Sequence, residues 1–183
     1  MRSVRHVFNL RSEERRRPLP PRILLVQRET ETLTHILLKL FGYLLFFRAR
    51  LRVEPNLDPD DMPFVPDLLE FDLQGRMVLW IECGECQVQK LDRLAVKAPE
   101  AELWAVKRSP AAAADLARAM VREDLRRGRY GIVGLDPAML DEVTGLLRPR
   151  NDVTWYHGDF EPPRLQFDFN GLWFESEFVV LRH

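Results

Sequence analysis

Between Met77 and Leu147 short apolar runs alternate with stretches of helical period, and this alternation restricts the fold more than any other feature of the chain. The apolar runs are residues 77–84, 103–106 and 130–135. Between them, residues 87–98 put Val88, Leu91, Leu94 and Ala95 on one face and stop at Pro99. Ser109-Pro110 and Asp136-Pro137 each place a capping side chain before a proline whose φ is already helical. They predict helices running to about Arg127, ended by Gly128, and to about Leu147. Strands that alternate with helices bury both faces of a sheet, so the expected class is α/β, with one mixed sheet and helices on both faces.

The flanks extend this pattern. Residues 3–10 and 22–27 read as strands on either side of the polar, proline-rich linker Arg11 to Pro21. A helix follows, with Leu33, Ile36, Leu37, Leu40, Phe41 and Leu44 at a 3.6 period and Thr30 or Thr32 as its cap. Lys39 interrupts its apolar sequence. Residues 54–66 hold four prolines, which forbid a continuous helix or strand, and read as an irregular acidic loop. The tail from Val153 to Leu181 is rich in strand signals, with Asn170-Gly171 as a turn. One domain over residues 1–183 is expected at this length.

Composition excludes several classes. Charged residues are 30% and apolar ones 46%, a globular balance that rules out an intrinsically disordered chain. Two cysteines cannot form a disulfide framework. The apolar stretch from Ile36 to Phe47 is too short to span a bilayer, which needs about 20 residues. The opening residues have no apolar core of a secretory signal, so a cytoplasmic, reducing setting and no membrane partner are expected. The net charge of −1 gives no general basic field. Charge is nevertheless unevenly placed. Residues 1–28 carry eight arginines against Glu13 and Glu14, and residues 53–73 carry seven acids and no base. That acidic concentration needs a cation, or basic side chains folded over it.

Residues 67–73 and 77–84 form the clearest hairpin, with Gln74-Gly75 at the turn. With a two-residue turn, partner numbers sum to 149: Leu73 faces Arg76, Phe71 faces Val78, Leu69 faces Trp80 and Asp67 faces Glu82. Carboxylates directly opposite would have β-carbons about 4.5–5.5 Å apart and repel each other. A shared proton or a divalent cation would resolve the conflict.

Pro66-Asp67, fourteen intervening residues and then Glu82, after an N-terminal helix, resemble the PD-(D/E)XK nuclease superfamily. Within it the chain resembles the YaeQ family, almost end to end. The resemblance rests on Glu31-Thr32 before a helix with Leu38-Lys39-Leu40, on Asp58-Pro59-Asp60-Asp61 and Pro66-Asp67-Leu68, and on Leu79 through Gly84. The basic helix from near Lys90, Tyr130-Gly131-Ile132 and the terminal strands also fit. The resemblance implies a restriction-endonuclease-like core, with a mixed sheet flanked by helices and with N- and C-terminal strand additions. It implies Mg²⁺ or Mn²⁺ held by Asp67 and Glu82, support from Glu31, and a nucleic-acid partner whose phosphodiester is attacked by activated water. The superfamily's lysine two residues after the glutamate is replaced by Gly84, which leaves a catalytically inactive regulatory or interaction module as the alternative. Lys90 is the lysine expected to substitute, with Arg93 and Lys97 on its face.

Other features suggest less. Cys83-Gly84-Glu85-Cys86 lacks the second cysteine pair of a structural zinc site, and Cys83 is expected to point into packing, opposite to Glu82. Glu31 and His35 are one helical turn apart, a spacing that could place both near a metal, although a lone histidine on a helix surface is more often a packing residue. Trp155, Tyr156, Trp173 and Phe174 either close a sheet or form a stacking surface. Neither a nucleophile elbow nor a glycine-rich nucleotide loop occurs.

Overall fold

The computed structural model describes residues 3–58 and 62–183. Pro59, Asp60 and Asp61 of the acidic loop lie outside the described residues. The elements are β1 (Val4–Ser12), β2 (Arg22–Gln27), α1 (Leu33–Leu45), β3 (Arg52–Val53), β4 (Leu68–Phe71), β5 (Met77–Cys83), α2 (Val88–Lys97), β6 (Glu102–Lys107), α3 (Pro110–Arg122), β7 (Tyr130–Gly134), α4 (Pro137–Leu146), β8 (Arg150–Phe160), β9 (Pro163–Phe169), β10 (Leu172–Glu177) and β11 (Val179–Arg182).

These strands form two mixed sheets, where sequence reading expects one. One sheet has five strands in the order β10-β9-β8-β1-β2 and the other six in the order β11-β7-β6-β5-β4-β3. In the second, β5, β6 and β7 are parallel and the flanking strands antiparallel. The first closes on the parallel pair β1 and β8, in which Phe8 stands beside Asn151. Period and turn residues identify strands but carry no information on pairing across such a separation, so the second sheet is not legible locally.

Helix α1 separates the sheets, packing on β2 and β8 of one and on β4, β5 and β6 of the other. Every residue from Ile36 to Leu45 is buried, as expected of a helix apolar on all sides. Helix α4 lies beside it. Helices α2 and α3 cover the other face of the six-stranded sheet over Leu69, Trp80, Leu91, Leu94, Leu103 and Met120. Thr32, Ser109 and Asp136 cap α1, α3 and α4 through their side-chain oxygens. Helix α3 stops at Arg122, short of the expected Arg127, because Asp124 adopts φ 53°. Leu125 N–H then closes on the Met120 carbonyl and Asp124 N–H on that of Val121, a Schellman ending. Among the described residues no helix is long and apolar enough to cross a membrane.

The hairpin keeps the expected register from Leu68 to Glu70, with Leu69 opposite Trp80. Nearer the turn a bulge shifts it by one, and Phe71 stands opposite Met77 rather than Val78. The cause is Asp72. Its backbone N–H pairs with the Arg76 carbonyl, and its Oδ1 accepts from the N–H groups of Gln74 and Arg76. The loop is therefore three residues long, with Gly75 at φ 77°.

Candidate metal centre and cleft

The site assembles where α1 begins and where β5 and β6 end. The Thr32 cap accepts from His35 N–H at 3.1 Å and so starts the helix at Leu33, two residues after Glu31. From there Glu31, His35 and Lys39 are spaced by four residues and form one stripe. Glu31 Oε2 accepts from Arg28 N–H at 2.8 Å, and its Oε1 accepts from Lys39 at 2.5 Å.

Asp67 enters from the start of β4. Its Oδ2 accepts from Cys83 N–H at 2.7 Å, which ties it to the end of β5. Its Oδ1 lies 3.2 Å from His35 Nε2 and 3.6 Å from Lys39 Nζ. Glu54 completes the group: its backbone N–H donates to the Asp67 carbonyl, and its Oε1 accepts from Lys39 at 2.5 Å. Glu54 holds φ at 41°, a left-handed conformation that a glutamate adopts only under constraint from its surroundings.

Lys39 is 1% exposed, and an ammonium buried to that extent requires charged partners. It has three, Glu31, Glu54 and Asp67. Burial favours its neutral form, but hydrogen bonds to Glu31 and Glu54 and the charge of Asp67 outweigh this and raise its pKa. Burial likewise raises the Asp67 carboxyl, and hydrogen bonds from His35 and Cys83 with the charge of Lys39 bring it below its ordinary value. Glu31 behaves in the same way: burial is outweighed by its bonds to Arg28 and Lys39.

Glu31, His35 and Asp67 each offer a ligand atom, and these atoms lie within 4.8 Å of one another. Two carboxylate oxygens and an imidazole nitrogen are a donor set that suits Mn²⁺ better than Mg²⁺, which prefers oxygen ligands and retained water.

Glu82 stands apart from that triad. Its Oε1 accepts from Trp80 Nε1 at 2.6 Å and its Oε2 from Lys90 Nζ at 2.7 Å. Lys90, in the first turn of α2, also reaches the Val65 carbonyl at 3.4 Å and sits over the Phe64 ring. Burial raises the Glu82 carboxyl; Lys90 and Trp80 oppose the rise, and the charge of Asp67 adds to it. The repulsion between Asp67 and Glu82 is thus present, but each carboxylate has its own set of donors. Arg93 and Lys97 are exposed on α2.

Gly84 follows at φ 77°, and a β-carbon there would stand 2.9 Å from His35 Nδ1. Its carbonyl accepts from Lys107 Nζ at 2.6 Å. Lys107 ends β6 and is 5% exposed. Both residues line a cleft of about 600 Å³ with Glu31, His35, the hydroxyl residues Thr30, Thr32 and Thr34, and Arg108.

Sequence reasoning passed over Lys39, Glu54 and Lys107. The signal for Lys39 was a cation inside an otherwise apolar helix; Glu54 and Lys107 left none. The cysteines take no part: Cys83 is buried with its thiol pushed well up, and Cys86 is raised to about 11, so neither is a thiolate at neutral pH. In the tail Trp155 and Phe174 are buried, while Tyr156 and Trp173 form an exposed pair 4.9 Å between ring centres.

Fold and site together describe a mixed α/β protein of two sheets around a buried helix, with a cluster of carboxylates, histidine and lysine at the ends of its parallel strands. The YaeQ family model, described as YaeQ protein, matches residues 21–154, and the chain belongs to that family. The crystal structure of YaeQ protein from Xanthomonas axonopodis pv. citri is similar over 99% of both chains, with a TM-score of 0.74 and 19% identity. That of YaeQ protein from Pseudomonas syringae covers 99% of this chain and 96% of its own, with a TM-score of 0.73 and 16% identity. Among curated proteins none matches.

Proposed function

We propose that the chain is a metal-dependent phosphodiesterase of the PD-(D/E)XK kind, acting on nucleic acid through a restriction-endonuclease-like core. The observation that carries the reading is the convergence of Glu31, His35 and Asp67 within 4.8 Å, with Glu31 and His35 lining an open cleft. A bound Mn²⁺ or Mg²⁺ would supply Lewis acidity and lower the pKa of a coordinated water. Asp67, Glu31 and His35 hold the ion, which competes with the Lys39 ammonium for the two carboxylates. Glu82, whose burial favours protonation, is the proton acceptor, and Lys90 supplies its counter-charge. Glu82 is a direct ligand in the superfamily pattern; here its bonds to Trp80 and Lys90 favour the acceptor role.

A second reading has its own support. Lys39 already satisfies Glu31, Glu54 and Asp67 without any metal, which suits an inactive regulatory or interaction module on the same fold. Electron paramagnetic resonance of Mn²⁺, with cleavage assays on mixed DNA and RNA in Mg²⁺ and in Mn²⁺, separates the two. The enzyme reading expects bound Mn²⁺ and cleavage, both lost in Asp67→Asn. Absence of Mn²⁺ binding at millimolar concentration would favour the inactive module.

A further inference from the structure

We infer that the cleft between the start of α1 and the junction of β6 and α3 binds a phosphate group, with Lys107 and Arg108 as its cationic contacts. The inference rests on the reading above in taking the phosphate to be that of a nucleic-acid backbone, but the anion site stands on separate residues.

Lys107 carries the argument. It belongs to a strand whose other residues from Leu103 to Val106 are buried and apolar, and its ammonium is buried with them. Its hydrogen bond goes to the Gly84 carbonyl, and Glu85 Oε2 stands 3.9 Å away on a side chain that is 97% exposed. An ammonium has three donors, so one carbonyl and one distant, solvated carboxylate leave capacity for a further acceptor. Lys39 differs: three carboxylates surround it on the α1 side.

The cleft adds matching chemistry. Arg108 follows Lys107 and is exposed on the same wall, and a guanidinium binds phosphate oxygens in pairs. The first turns of α1 and α3 both border the cleft, at Thr32 and Thr34 and at Ala112. Their positive dipole ends favour an anion there. Threonine hydroxyls at 30, 32 and 34 complete a donor-rich lining. The opposing carboxylates are Glu31, already bonded to Lys39, and the exposed Glu85. A phosphate against Lys107 would thus sit in the cleft that Glu31 and His35 also line.

The test uses the full chain and two probes, inorganic phosphate and hexathymidylate, titrated by calorimetry in chelator and in Mn²⁺. Lys107→Gln removes the ammonium. Because this also cuts the link to Gly84, a second variant is needed. Ala112→Asp adds a carboxylate to the cleft lining at a helix first turn, where an acid is tolerated or stabilising. Both variants are expected to weaken hexathymidylate binding about tenfold or more with unchanged Mn²⁺ resonance. Competition by inorganic phosphate identifies the phosphate group as the common feature. Binding of inorganic phosphate alone, still sensitive to both variants, supports the anion site and assigns it to free phosphate. Equal binding by wild type and both folded variants, or no binding of either probe by wild type, overturns the inference. Loss of Mn²⁺ binding with anion binding intact would remove the metal reading and leave this site standing.

Discussion

His35 fills the space that a side chain at position 84 would need: a β-carbon on Gly84 would stand 2.9 Å from His35 Nδ1. Position 84 is closed to a side chain by the imidazole and by the left-handed backbone at φ 77°. Gly84→Ala should therefore destabilise the protein by about 1–3 kcal/mol, from backbone strain and overpacking together. Adding His35→Ala should recover the steric part and leave the backbone part. Denaturant melts of the two single variants and the double variant measure this; strict additivity would mean that the two residues do not compete for space.

Removing Lys39 should be more costly than any surface change. Lys39→Met leaves Glu31, Glu54 and Asp67 as three carboxylates without their shared cation, and breaking a buried pair from one side costs about 3–5 kcal/mol. Mn²⁺ should restore part of that loss, and should raise the melting temperature of the variant more than that of wild type. Equal shifts in the two proteins would show that Lys39 and the metal do not share a site.

Asp67 and Glu82, expected to face each other across the hairpin, should respond differently to amidation. Direct repulsion alone predicts that Asp67→Asn and Glu82→Gln are both as stable as wild type or more so. Asp67, however, accepts from Cys83 N–H and faces His35 and Lys39, so Asp67→Asn should lose about 1–3 kcal/mol. Glu82→Gln removes a carboxylate whose ionisation burial opposes, and frees a Lys90 side chain that is 20% exposed. It should stay within about 1 kcal/mol of wild type. Thermal melts in chelator at neutral pH decide between the two patterns.

The pH dependence follows from the same carboxyls. Glu31 and Asp67 are lowered in the folded state, so the stability they contribute is present above their unfolded values of about 4. It is lost as pH falls through their lowered folded values. Glu82 is raised and acts in the opposite sense: its cost grows as pH rises from about 4.5 through its folded value. The deficit of Asp67→Asn should therefore vanish in acid, whereas Glu82→Gln should gain on wild type as pH rises above about 4.5. Urea titrations at half-unit intervals test both signs. Parallel stability curves for all three proteins would show that neither group is coupled to folding.

Much of the architecture could be read locally. The caps at Thr32, Ser109 and Asp136 act within one helical turn, and all three open helices as read. The hairpin register holds at Leu69 and Trp80, and Cys83 points into packing as its parity with Glu82 requires. Errors arose at two aspartates: Asp72 lengthened the turn through its side-chain bonds to backbone N–H groups, and Asp124 ended α3 early by adopting a left-handed backbone. Neither choice has a period.

Period, capping and turn residues act over one to four positions, and for that reason the strands, the helices and the register of Leu69 opposite Trp80 were legible in the sequence. Tertiary structure alone decided that the strands divide into two sheets, because pairing Phe8 with Asn151 depends on packing around α1. It decided the site for the same reason. Asp67 turned to His35 and Lys39, Glu82 to Lys90, and Glu54 to Lys39, since a buried charge takes whichever opposite charge the folded core brings within reach. Such partners lie 32, 8 and 15 residues apart along the chain, beyond the range of any local pattern.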